Sequence, residues 1–258
     1  MRKSKQFSIS ITVSAALILF SANAFAISGG DAVKQLSSQA YNGDAASLQT
    51  LKQDAMNGDA ASENWYGGYL DAKKDYAQAA MWYRKAADQG VANAQINLAM
   101  LYANGQGVAQ DYAQAAVWYK KAADHGVVDA QSNLGVLYAN GQGVTQDYAQ
   151  AAAWFRKAAD QGDGQAQNDL GLLYEKGESI PQNHIIAYAL YNLSASNGRS
   201  SNNTALTNRD AIVPLMSEAQ IKAGQGLAQE MAANGVTAAI GNYLMPRKKI
   251  TYQKRKHQ

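Results

Sequence analysis

Residues 75–110 read DYAQAAMWYRKAADQGVANAQINLAMLYANGQGVAQ, and the two stretches that follow, 111–146 and 147–182, repeat that text with few changes. DYAQAAxW, then KAAD, a glycine, AQ, a leucine, LY and a further glycine return every 36 residues. A unit of this size cannot cover its own apolar face, and tandem copies cover it only against one another. The period therefore predicts a stacked repeat array, and it overrides the one or two domains that a length of 258 residues suggests. Function in such an array sits on an extended surface.

Each unit reads as two helices. Tyr76, Ala79, Ala80, Tyr83 and Ala87 are spaced i, i+3, i+4, i+7 and i+11, one face of a first helix, helix A. Asp75, Asp111 and Asp147 stand before the three A helices with Gln78, Gln114 and Gln150 three residues on, an acidic form of the N-terminal capping box. Gly90, Gly126 and Gly162 supply the left-handed conformation that ends each A helix. Helix B carries Ala94, Leu98, Leu101 and Tyr102, repeated as Ala130, Leu134, Leu137, Tyr138 and as Ala166, Leu170, Leu173, Tyr174. Beside that stripe, Ala99, Gly135 and Gly171 let helices A and B approach closely.

The connection Asn104-Gly105-Gln106-Gly107-Val108 returns at 140–144 and decays to Lys176-Gly177-Glu178-Ser179-Ile180 in the third copy. Glycine-rich turns expose backbone N–H groups and can cradle phosphate. Here no Lys-Ser/Thr follows and no strand precedes, so the loop reads as a helix stop, a turn and one apolar residue docking back on the core.

The 36-residue period, AAxWYRKAADQG, the AQxNLGxLY block and the GQGV turn resemble Sel-one-like repeats, relatives of tetratricopeptide repeats whose inter-helix loop is two residues longer. The resemblance is specific over 75–182 and implies an all-α fold, a right-handed α-solenoid of tandem helix-turn-helix units whose A helices line a concave groove. Upstream, Leu48 to Asp71 reads as a degenerate copy short of four loop residues, with Gly58 at the helix A stop and Tyr66-Gly67 and Leu70 on the Leu-Gly and Tyr positions. Downstream, Asn183 to Gly198 aligns as another helix A with Leu190 in the tryptophan place, and Leu206 falls on the helix B leucine. Pro214 and the run Ser217 to Ala233 depart from the pattern and read as a long polar terminal helix, of the kind that solenoid ends need.

The two ends carry other signals. Arg2, Lys3 and Lys5, the largely apolar run Phe7 to Phe20 and Ala24-Phe25-Ala26 together read as an export signal cleaved after Ala26. The apolar run is shorter than the ~20 residues a membrane span needs. No cysteine occurs, so neither disulfides nor cysteine lipidation is open to the chain. Without the first 26 residues the chain is neutral, but Arg247, Lys248, Lys249, Lys254, Arg255 and Lys256 concentrate six cations at the end and leave residues 27–246 at a net charge of minus six. On this reading the chain divides into 1–26, an N-terminal segment 27–74, three repeats over 75–182, a divergent repeat with capping helices over 183–245, and a basic tail, 246–258. The tail, with Tyr252 among its cations, reads either as a binder of anionic lipid, polysaccharide or nucleic acid or as a solvated end.

Candidate sites follow from the repeat. Trp82, Trp118 and Trp154 form either a ladder for ligand stacking or, by their position about 60° from the Tyr/Ala stripe, inter-repeat packing. The other side of helix A carries Gln78, Met81 and Lys85, then Gln114, Val117 and Lys121, then Gln150, Ala153 and Lys157. Met81, Val117 and Ala153 differ within near-identical surroundings, which fits either a partner-facing position or surface drift. The three lysines either face the partner or pair with Asp88, Asp124 and Asp160 three residues on. Of the histidines, His125, His184 and His257 make no HxxxH or HExxH pair, and no GxSxG, Walker loop or SxxK is present.

The expectation is a non-enzymatic interaction scaffold, periplasmic or secreted, binding a protein or peptide in the groove, with no cofactor, no nucleic acid and no stable membrane insertion after signal cleavage. Bacterial proteins that it resembles assemble envelope complexes or mediate contact with host cells. Two other classes stand beside it. One is a weak β-lactam-binding hydrolase, an activity described for some disulfide-rich relatives and set against the absence of cysteine here. The other is a binder of envelope or host surfaces acting through the tail.

Overall fold

The computed structural model describes residues 30–197 and 202–245. The stretch read as an export signal, the helix stop assigned to Gly198 and the basic tail lie outside the described residues. Among the described residues every regular element is helical: α1 (Gly30–Tyr41), α2 (Ala45–Met56), α3 (Ala60–Ala72), α4 (Tyr76–Asp88), α5 (Ala92–Asn104), α6 (Tyr112–Asp124), α7 (Val128–Asn140), α8 (Tyr148–Asp160), α9 (Gly164–Lys176), α10 (His184–Ser196), α11 (Asn202–Ile212), a 3-10 turn (Val213–Leu215), α12 (Glu218–Asn234) and α13 (Val236–Leu244). The fold class is an all-α repeat solenoid. Consecutive helices pack as hairpins, and the most extensive contacts join α3 to α4, α5 to α6 and α9 to α10, ahead of α4 to α5 or α6 to α7. The closest pairs therefore run from helix B of one unit to helix A of the next.

Helix starts show why the acidic capping box needs correction. Asp75, Asp111 and Asp147 do cap, accepting from the backbone N–H of Gln78, Gln114 and Gln150 at 3.3, 3.0 and 3.0 Å. The reciprocal half of the box is not made at Asp75. There the Gln78 side-chain amide donates to the Asp75 carboxylate at 2.6 Å. The cap residues' own N–H groups are already engaged by the preceding B helices: Asp111 donates to the Tyr102 carbonyl at 2.9 Å, Asp147 to Tyr138 at 3.0 Å and Asn183 to Tyr174 at 2.8 Å. One hydrogen bond thus satisfies an orphan donor and closes each loop. The complete capping box forms instead at Ser217 and Gln220, where the polar terminal helix α12 begins.

Glycines mark the close approaches. Gly90, Gly126 and Gly162 end the A helices at φ of +89°, +85° and +87°, as the sequence requires. The second glycine of each GQG turn does something different. A Cβ on Gly107 would stand 2.2 Å from the Tyr76 carbonyl carbon, and one on Gly143 2.2 Å from that of Tyr112, so each turn lies directly on the first backbone turn of its own unit's helix A. The connection from α3 to α4 spans only Lys73 to Asp75, four residues shorter than the one from α5 to α6, and makes its turn with Lys74 at φ +64°.

The chain divides into two compact units, the division falling after Phe155 within α8. In the first, Leu51, Tyr83, Leu98 and Phe155 are fully enclosed, with Trp118 and Trp154 in the same core. The small residues of the B helices admit rings from the next A helix: a Cβ on Gly67 would lie 2.8 Å from the Tyr83 ring, and one on Gly135 2.6 Å from that of Phe155. The close approach read from Gly135 and Gly171 holds, with the partner being the following helix A.

In the second unit Gly171 sits under Tyr191 in the same way. Here α10 contacts α9, α11 and α12 and buries Ile186 through Tyr191 and Leu193, the all-round apolar surface of an enclosed helix. The alignment that put Leu206 on the helix B leucine is corrected: α11 packs on both α9 and α10 and buries Ala205 and Ile212, leaving Leu206 half-buried. Pro214 lies in the 3-10 turn that follows, and α12 returns onto α10, with Gly224 under the Tyr188 ring. At the start of α13 the cap residue is Gly235, which has no side chain to offer. Asp160 replaces it from the end of α8, accepting from Thr237 N at 2.8 Å and from Thr237 Oγ1 at 2.6 Å, a carboxylate placed where the helix dipole favours one.

Candidate partner-binding face

All nine residues singled out on the A helices are exposed: Gln78, Met81 and Lys85 on α4, Gln114, Val117 and Lys121 on α6, Gln150 and Ala153 on α8 in the first unit, and Lys157 at the start of the second. Exposure is large where it is least expected of the residue type. Met81 is 64% and Val117 49% exposed, although their flanking residues Ala80 and Ala116 are buried.

Lys85 and Lys121 each lie over the tryptophan three residues back. Lys85 Nζ lies 4.1 Å from the centroid of the Trp82 ring and Lys121 Nζ 3.8 Å from that of Trp118. At i, i+3 the Trp face reaches the ammonium directly, and the aromatic quadrupole competes well with a solvated carboxylate. Asp124 takes its cation from the neighbouring Lys120 instead, at 2.7 Å, and Asp160 is engaged by Thr237. Between α3 and α4, Glu63 is raised above its ordinary range by burial, while the Gln89 amide at 2.7 Å and the Lys85 charge act in the opposite direction. Lys85 thus sits over an indole with a buried carboxyl within its field.

The tryptophans are packing residues, as their angular position indicates. Trp118 and Trp154 are buried and Trp82 is half-buried, set edge-on to Tyr66 with centroids 5.4 Å apart. Tyr66 stacks on Tyr69 at 6.4 Å, and Tyr69 meets Tyr41 of α1 edge-on at 5.8 Å. This aromatic run extends the apolar ground beneath the face toward α1. It escapes a reading of the repeat because Tyr66 and Tyr69 lie in the degenerate copy and Tyr41 lies before it. Arg84 was also missed. Its guanidinium bonds the Tyr102 hydroxyl and lies 5.9 Å from the Trp118 ring, so it bridges α4, α5 and α6. Its counterpart Arg156 reaches the Tyr174 hydroxyl at 2.6 Å in the second unit. The signal for both is in the sequence, in the basic doublets Arg84-Lys85, Lys120-Lys121 and Arg156-Lys157.

This face presents an exposed apolar side chain and a cation held on an indole, on α4 and again one repeat later on α6. Among the described residues no three His, Cys, Asp or Glu side chains converge as metal ligands. No described helix is long and apolar enough to cross a membrane.

The sequence profile of the Sel1 repeat matches residues 53–91, 92–127, 128–163 and 164–198. The chain belongs to the Sel1 repeat family. Each of these four stretches covers a B helix and the A helix after it, and in three of them, α3–α4, α5–α6 and α9–α10, that pair makes the most extensive helix–helix contacts. Among solved structures, this Sel1 repeat protein is similar to a protective antigen present in uropathogenic Escherichia coli strains that displays an SLR fold, with 34% identity and a TM-score of 0.58 over 71% of this chain and 43% of that one. It therefore spans less than half of the antigen's length. It is also similar to a Sel1 repeat protein from Oxalobacter formigenes, with 28% identity and a TM-score of 0.64 over 80% of this chain and 85% of that one. A comparison with curated proteins returns no match. Sel1 repeat proteins are generally protein-interaction scaffolds.

Proposed function

We propose that this Sel1 repeat protein binds a protein or peptide on the helix A face of its first unit, without chemistry of its own, and that it does so in the periplasm or outside the cell. The observation that carries the reading is the recurrence, one repeat apart, of Met81 with Lys85 over Trp82 and Val117 with Lys121 over Trp118. Met, aromatic residues and fixed cations are the side chains that interfaces favour. An ammonium held on an indole is presented at low entropic cost to an incoming carboxylate. Gln78, Gln114, Gln150 and Ala153 supply the polar and small surroundings on the same unit. The location rests on the export signal in the sequence.

Reversal of both lysines, Lys85→Glu with Lys121→Glu, tests it. Both side chains are exposed, and each cation–π contact contributes only about 0.5–1 kcal/mol, so the fold should survive with little change in melting temperature. Proteins retained by the wild-type chain from envelope and host extracts should lose at least tenfold in retention on the double variant. Equal retention by a fully folded variant removes this face from the site.

A further inference from the structure

The helix A face has a covered counterpart elsewhere in the chain. By the 36-residue period, Gln78, Met81 and Lys85 of α4 and Gln114, Val117 and Lys121 of α6 correspond to Ile186, Ala189 and Leu193 of α10. The α4 and α6 positions are exposed, whereas all three on α10 are buried. α4 and α6 pack on the helices before and after them, and α10 packs on those and on α12 as well. Where α12 meets α10 the approach is close: a Cβ on Gly224 would stand 2.6 Å from the Tyr188 ring and 3.3 Å from the Ile185 carbonyl oxygen. The buried stripe of α12 is Gly224, Leu227 and Met231, spaced i, i+3 and i+7. Ile185 corresponds to Ala77 and Ala113, both exposed, so small side chains stand at the matching places on α4 and α6.

Resting on the reading of this face as the binding site, we propose that the partner presents an α-helix to α4 and α6. Its stripe of small and apolar residues meets Met81 and Val117, and its carboxylates meet Lys85 and Lys121. A helix satisfies its own backbone, and an extended chain does not. The backbone groups of α4 and α6 are committed within those helices, and the Gln78 amide, which could hold an extended chain, already donates to Asp75 at 2.6 Å. A helix therefore gives up no hydrogen bond on docking, and it offers anchors at i, i+3 and i+7 as α12 does. The partner's charge follows from the two cations fixed over Trp82 and Trp118, where α10 has Leu193 instead. An apolar stripe suffices on α10, and α4 and α6 call for an acidic flank beside it.

Fluorescence anisotropy with the full chain tests this. The probe is a labelled peptide of the α12 sequence, residues 217–234, carrying Gln225→Glu and Gln229→Glu, which with Glu218 fill one flank of the stripe. It is stapled between positions 222 and 226, on the side opposite the stripe, and is compared with an unstapled form carrying Gly226→Pro. The stapled peptide should bind at least tenfold more tightly than the proline form. Lys85→Glu with Lys121→Glu should weaken it at least tenfold, and Met81→Ser with Val117→Ser several-fold, at unchanged melting temperature. No binding, equal binding of the two peptides, or binding that the lysine reversal leaves unchanged overturns the helical partner. So does a wild-type dimer that the lysine reversal dissociates, which would make a second copy the occupant. Retention of extract proteins is measured separately, so a face that still depends on Lys85 and Lys121 there stands even when the helical partner falls.

Discussion

Gly143→Ala should destabilise the first unit by about 3 kcal/mol or more, whereas Gly126→Ala, in the same repeat, should cost about 1–2 kcal/mol. Both glycines have positive φ, +70° and +85°, and both substitutions carry the left-handed penalty of an L side chain. They differ in what the new methyl meets. At Gly126 nothing lies within 4 Å, while at Gly143 the Cβ would fall 2.2 Å from the Tyr112 carbonyl carbon and 2.3 Å from Ala113 N. These are backbone atoms in the first turn of α6, so neither a rotamer change nor a small ring movement relieves the overlap. Urea unfolding of the full chain measures the difference, and equal midpoints for the two variants would mean that the loop does not rest on the helix start as described. The same contact decides the reading of the GQG turn, whose second glycine is used for packing of loop on helix.

Asp169→Asn should stabilise the second unit at pH 8 and lose that advantage on acidification. Asp169 of α9 is 2% exposed, and burial pushes its carboxyl up to about 6, against hydrogen bonds from Gln165 Nε2 at 2.9 Å and Asn168 Nδ2 at 3.2 Å. Both bonds go to Oδ1, and Oδ2 is buried with no hydrogen-bond partner in the protein. The unfolded carboxyl titrates near 3.9, so the raised folded value means that the charged form is disfavoured in the fold by about 2–3 kcal/mol above pH 6. Between about pH 6 and 4 the folded state binds a proton that the unfolded state does not, and this cost fades. Below about pH 4 both states are protonated and the cost is gone. An asparagine, which the first two repeats carry at Asn97 and Asn133, never has the cost, but it buries an amide with one unmet donor group, worth about 1 kcal/mol. The variant should therefore gain about 1–2 kcal/mol at pH 8 and fall level with or below the wild type at pH 4.5. A difference between the two proteins that stays constant from pH 4.5 to 8 would show that Asp169 does not titrate in this range.

Much of the fold was legible because one spacing was written three times. The stripe of Ala79, Ala80, Tyr83 and Ala87, the leucines 98 and 101, and the glycines 90, 126 and 162 all occupy the places that helical periodicity assigns them. What was not legible depends on partners outside the unit. The sequence shows Asp75 three residues before Gln78, but not that a B helix carbonyl already takes the N–H that a capping box would satisfy. It shows Lys121 three residues before Asp124, but not that the Trp118 ring lies nearer. Leu206 was placed by counting 36 residues past a point where α11, packed on two helices at once, had shifted its buried stripe. The candidate face was legible as far as exposure goes, since Met81 and Val117 vary where their neighbours do not. The aromatic run from Tyr41 to Trp82 and the bridging role of Arg84 needed the fold.

Each unit is held by its neighbours, and an excised repeat puts that dependence to the test. A synthetic fragment of residues 111–146 contains α6 and α7 but cuts α6 from α5, with which it packs more extensively than with α7. It also leaves Gly135 without the Phe155 ring that fills the space above it. The far-ultraviolet dichroism of this fragment should show little helix and a broad, non-cooperative thermal change. A cooperative melt from a stable, helical monomer would contradict that dependence.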